Sequence, residues 1–182
     1  MPVSRGRRLA QSWLAGCSRV ERAVTFIAFC AVIAVVFADV VSRELTGAGL
    51  HWARQAGVYA NLVVVMFGLG LASASGAHLR PRFADGWLPA AWRPWLERIA
   101  DALMALFCIG FATVAAGVVF DSWQLGERST VLRTPVWPVQ AVIPLAFALV
   151  ALRHALYAAY PALRPRSAAL PPVPARGEAE RR

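Results

Sequence analysis

The sequence predicts an all-α integral membrane protein: four transmembrane helices, both termini cytoplasmic, and an interfacial amphipathic helix between spans two and three. Three observations predict it: four long apolar stretches, connections too short to hold a soluble domain, and an asymmetric distribution of arginine. The apolar stretches run roughly from Ala23 to Val41 (interrupted by Asp39), Gln55 to Leu79, Ala102 to Phe120 and Thr134 to Leu152. Each has about the 20 residues that a helix rising about 1.5 Å per residue needs to cross a hydrocarbon core of about 30 Å. Water is absent at that depth, so each segment must satisfy its own backbone N–H and C=O groups, and a helix does so. The composition agrees, with 58% hydrophobic residues and a mean hydropathy of +0.52, above the range of ordinary soluble domains.

The basic residues supply the orientation. All 19 are arginine, and 15 of them fall before span one, between spans two and three, or after span four. Only Arg43, Arg54, Arg128 and Arg133 fall on the other side. The excess of positive charge stays in the cytoplasm, which places both termini there. The net charge of +9 therefore faces anionic headgroups and is no sign of nucleic-acid binding. Three regions follow: residues 1–21, an N-terminal cytoplasmic segment; 22–157, the four-helix membrane domain; and 158–182, a Pro/Ala/Arg-rich tail expected to be disordered.

Before span one, Leu14-Ala15-Gly16-Cys17 has the look of a lipoprotein cleavage box and Arg7-Arg8 that of a twin-arginine signal. Gln11 and Ser12 break the apolar run that cleavage requires, so neither is read as a signal. Leu9, Trp13, Cys17 and Val20 instead recur at helical spacing and predict a short interfacial helix leading into span one. Cys30 and Cys108 lie at similar depth in spans one and three, which allows them to be neighbours. No cysteine spacing suggests a disulfide framework or a metal site.

The outer connection from Ser42 to Arg54 turns at Gly47 and Gly49. Between spans two and three, tryptophans alternate with arginines from Arg80 to Asp101. Trp92, Trp95, Leu96 and Ile99 share a helical face, and Trp87, Trp92 and Trp95 are the expected interfacial anchors. In span four, Pro135 and Pro138 lie where a helix start tolerates proline, and Pro144 is expected to kink the helix.

Asp39 is the acidic residue inside a span, and Arg43 follows it by four, a spacing that predicts an interfacial ion pair on one helix face. The sharper reading makes Asp39 or Arg43 a contact to a partner subunit. The small-residue run Ala72 to Ala77, with Thr113 and Gly117 in span three, permits close helix approach. Asn61 is polar enough to hydrogen-bond across helices, inside the bundle or to another subunit. No converging carboxylates and no internal repeat mark a substrate or ion pathway. His78 and His154 fall at the same membrane edge and could together ligate a haem, whereas His51 lies at the opposite surface. Headgroup-level surface histidines are the simpler reading, and no cofactor is expected.

Taken in order, Arg43 closing span one, Trp52 before span two, Gly76-Ala77-His78 ending it, Leu88-Pro89 in the loop, and Ser129, Pro135, Trp137 and Ile143-Pro144 around span four resemble the small membrane subunit of tripartite ATP-independent periplasmic (TRAP) transporters, the DctQ-like family. The resemblance covers about residues 18 to 157. It implies an accessory subunit of the bacterial inner membrane, not an enzyme. It also implies a large multi-span permease subunit that carries the substrate and ion sites, and a periplasmic binding protein that delivers a solute, often an organic acid. On that reading Arg43, Trp52, Asn61 and His78 are the candidate partner contacts. The chain departs from the family where Trp52 is followed by Ala53, Arg54 and Gln55 in place of an acidic pair, and where Leu79-Arg80-Pro81-Arg82 lacks the usual acidic residue. A membrane redox anchor that binds haem, or a small self-contained transporter or channel, are the alternatives.

Overall fold

The computed structural model describes residues 5–75 and 93–165. Helix α1 spans Arg5–Thr46, α2 Ala53–Ala74, α3 Arg93–Gln124, α4 Trp137–Gln140 and α5 Val142–Ala159, with a 3-10 turn at Pro161–Leu163. The described residues are helical without a β-strand, apart from one isolated bridge between Arg128 and Pro135. Four helical segments are long and apolar enough to cross a membrane: α1, α2, α3 and the combined α4–α5.

The expected interfacial helix before span one is not a separate element. Residues 5–46 form one helix of 42 residues, roughly 63 Å long at the α-helical rise. No proline interrupts it, and Ser18 Oγ and Thr25 Oγ1 donate to the carbonyls of Leu14 and Glu21 within the helix. The helix stops at Gly47, whose φ of 72° lets its N–H reach the Arg43 carbonyl at 3.0 Å, a left-handed cap that favours glycine. Trp95, Leu96 and Ile99 likewise belong to α3 itself, within one helix running to Gln124. The rest of the expected surface helix, with Trp87 and Trp92, and also His78, lies outside the described residues.

At its far end α3 closes with Gly126 at φ 63° and the Glu127 N–H on the Ser122 carbonyl at 3.1 Å, the six-to-one bond of a Schellman cap. The following connection folds on itself through Ser129 N–H to Thr134 O at 2.9 Å and Val136 N–H to Glu127 O at 3.1 Å. Span four is then broken at Ala141 between α4 and α5. Pro144 explains the position of the break: it has no N–H for the Gln140 carbonyl and crowds that residue, four positions back.

The helices form an open row. Helix α1 packs along α2, α3 packs along α5, and the two pairs meet through α2 and α5. The outer helices α1 and α3 form no extensive packing with each other. Their depth would let Cys30 and Cys108 be neighbours, but the row separates them. Cys30 is exposed on α1, while Cys108 is buried with Met104, Phe147, Val150 and Ala151 between α3 and α5. Thr113 and Gly117 are exposed on α3, so they do not bring helices together within the row. The apolar flanks of α1 and α3 stay uncovered, with Phe37 68% and Val114 70% exposed, as lipid-facing side chains are in a protein without bilayer.

The ordered chain also continues past residue 157. Helix α5 runs to Ala159 and the 3-10 turn to Leu163, so the start of the expected disordered tail is folded. Residues 166–182 lie outside the described part.

Candidate functional site

Among the described residues, charged groups gather toward the two ends of the row, and none lies between them. The sequence has no Asp, Glu or Arg from Ala23 to Ala38, Gln55 to Ala74, Ala102 to Phe120 or Thr134 to Leu152. Eighteen residues of α1 separate Glu21 from Asp39, about 27 Å along the axis, and twenty of α3 separate Asp101 from Asp121, about 30 Å.

The layer where span one begins and α5 ends joins all four spans. Arg153 is 0% exposed and Glu21 1%, and Arg153 Nη2 donates to Glu21 Oε2 at 2.6 Å. Its Nη1 donates to the backbone carbonyl of Gly70 on α2. Glycine is required there: a Cβ on Gly70 would come 2.6 Å from Glu21 Oε1, closer than side-chain packing permits. Cys17, one turn before Glu21, points its thiol toward the same carboxylate at 3.8 Å.

One residue on, His154 bridges α2 and α3. Its Nδ1 lies 2.9 Å from Asp101 Oδ1 and its Nε2 2.9 Å from Ser73 Oγ. The Nδ1–H donates to the carboxylate, and Nε2 shares a hydrogen bond with the serine hydroxyl. Arg164, beyond α5, returns to α3 and donates to Glu97 Oε2, to the Glu97 carbonyl at 2.7 Å and to Asp101 Oδ2. The order Ser73, His154, Asp101 resembles a hydrolytic triad, but Ser73 is 1% exposed. Buried in this way, the chain of bonds ties α2, α5 and α3 together.

This layer corrects two readings of the sequence. His154 is buried, not a surface histidine, and both of its ring nitrogens are engaged, so it offers no free nitrogen to a haem. Arg153 and Arg164, counted as headgroup and tail residues, are ion-paired inside the fold. The sequence contained a signal for this. Glu21 and Asp101 immediately precede spans one and three, Arg153-His154 immediately follows span four, and opposite charges at equal depth will pair when their helices are adjacent.

The other layer is smaller. Arg43 Nη2 lies 2.9 Å from Asp39 Oδ2, and Asp39 Oδ1 accepts the Leu50 N–H at 2.7 Å. A single carboxylate thus holds the last turn of α1 and the connection to α2. Gly49 passes so close that a Cβ would meet Asp39 Oδ1 at 2.8 Å. A groove of about 950 Å³ opens here, lined by Asp39 and Arg43 from α1 and by Arg54 and Asn61 from α2, among others. The structure therefore brings Arg43 and Asn61 to one groove. Asn61 is exposed, and Trp52, 36% exposed, is the residue from which α2 starts, without a side-chain cap. Trp95 is 67% exposed in the first turn of α3. Among the described residues, no group of three or more His, Cys, Asp or Glu side chains could hold a metal ion.

A family model described as "Tripartite ATP-independent periplasmic transporters, DctQ component" matches residues 32–164. No curated protein and no solved structure gives a significant match.

Proposed function

This chain belongs to the DctQ family, the small membrane component of TRAP transporters, and from that premise we propose that it scaffolds and anchors the large permease subunit during ion-coupled uptake of an organic-acid-like solute. The family makes it a multi-pass membrane component of a transporter that associates with other TRAP subunits. The scaffold reading goes further. It puts the chain in the bacterial inner membrane with both termini cytoplasmic, against the large subunit and, through the complex, the periplasmic binding protein.

One observation supports it above all: among the described residues, no charged side chain lies between the two polar layers. A pathway for an anionic solute and its coupling ion needs charged or converging polar groups at mid-membrane. Here the charges are placed where they tie helices to one another, and the middle is apolar packing. A subunit of this kind contributes shape and position, while its partner supplies the moving site. Arg43, Trp52, Asn61 and His78 are its proposed contacts, with Trp87, Trp92 and Trp95 as anchors at the opposite interface.

The test is affinity purification of the chain in mild detergent after expression with its neighbouring genes, followed by mass spectrometry and an absorption spectrum. One stoichiometric multi-span partner in a colourless complex is expected. Trp52→Ala should lower complex recovery and transport without altering substrate preference. A chain that purifies alone, shows a haem band, or carries flux by itself in liposomes overturns the reading, as does a change of preference in the Trp52 variant.

A further inference from the structure

We propose that the groove beside the α1–α2 connection binds one glycerophospholipid, with its phosphate at Arg43 and Arg54 and an acyl chain along Val32, Val36 and Val58.

The groove joins two kinds of wall. At the level of Asp39 it is lined by Arg43 and Arg54. The carboxylate among them, Asp39, is already bonded to Arg43 and to the Leu50 N–H. Arg54 is exposed and makes no ion pair or hydrogen bond among the described residues, so the rim holds uncompensated positive charge. Deeper, the lining is Val32, Val36 and Val58. Along their helices these lie about 4 to 11 Å further toward the apolar middle than Asp39 or Ala53. Val36 is 54% and Val58 61% exposed, so this wall is continuous with the lipid-facing flank of the row.

A charged rim at headgroup level above an apolar wall at acyl depth matches one kind of molecule. A soluble anion would use the guanidinium groups and leave the valines idle; a hydrocarbon chain would use the valines and leave the charge unanswered. A phospholipid uses both. One further feature fits the headgroup. The first turn of α2 lacks a side-chain cap and has no acidic residue, so its positive end adds to the attraction for phosphate.

The test uses the full chain, purified alone and together with its co-expressed partners, delipidated in detergent and examined by native mass spectrometry. Phosphatidylglycerol and phosphatidylethanolamine are then added back. Wild type should retain or rebind one phospholipid per chain. Arg54→Gln should weaken rebinding roughly tenfold, the size expected for loss of one charge-assisted hydrogen bond. Val58→Trp, at an exposed position, should block the acyl path and do the same, and it decides the matter if the arginine variant fails to fold. Equal lipid binding by wild type and Val58→Trp would overturn the proposal. Competition by glycerol 3-phosphate at concentrations comparable to lipid would reduce the groove to an anion site. Absence of lipid from the assembled complex would give it to a protein partner. Either of these outcomes also sinks the proposal.

Discussion

Arg153 is held with no access to water by one carboxylate and one backbone carbonyl, and that makes it the residue on which the row depends most. A buried ion pair gains little over a well-packed apolar pair, yet removing one member strands the other at a cost of about 3–5 kcal/mol. Glu21→Ala should therefore lower the thermal unfolding midpoint in detergent sharply. The double change Glu21→Met with Arg153→Met should recover most of the loss. If the double variant is as unstable as the single one, the pair does more than compensate its own burial. Gly70 belongs to the same unit, because any side chain there displaces the Glu21 carboxylate. These partners were hard to read in the sequence for a physical reason. Hydropathy reports depth, and Glu21, Asp101 and Arg153 each sit at the depth of headgroups. Whether such a charge meets lipid or another helix depends on the direction it faces, and that is set by neighbours whose order in the row is not written in any one span.

Among elements, the spans themselves were the most legible, since each is an apolar run of the length a bilayer demands. Boundaries were less so. The run before span one has helical spacing of apolar residues both in Leu9, Trp13, Cys17 and Val20 and in the span that follows, and nothing between them stops a helix, so α1 continues through. In span four the expected kink is present, but the break falls at Ala141, a turn before Pro144. The missing N–H of proline is felt at the carbonyl four residues earlier. Pro144→Ala restores that donor and should join α4 and α5 into one helix. Hydrogen exchange would report it as slower exchange of the amides around residues 141–145. Unchanged exchange would trace the break to the packing of α4 against α3 instead.

For the whole molecule, the two polar layers set the position in the bilayer, because their separation of about 27–30 Å matches the thickness of a hydrocarbon core. In the proposed orientation the arginine asymmetry selects the layer that faces the cytoplasm. In intact cells Thr130→Cys, on the exposed connection after α3, should react with a membrane-impermeant maleimide while Cys17 does not. Labelling of Cys17 alone would invert the orientation. The membrane class and helix number followed from composition and pattern, whereas the arrangement of the helices did not. Pairing α1 with α2 is natural for a short connection, but placing α5 between α2 and α3 depends on His154 reaching Ser73 on one side and Asp101 on the other.

The open row has a mechanical consequence. Helix axes lie about 8–10 Å apart where they pack, so four helices joined only to their neighbours in a row can spread wider than a square bundle, where each helix packs against two others. A broad plank standing in a fluid sheet resists tipping within its own plane far better than a post of the same mass. In the proposed scaffold, an edge loaded along the membrane normal would be steadied by the opposite edge, and the clasp at Glu21, Gly70 and Arg153 ties the α1–α2 half of the row to the half that holds α5.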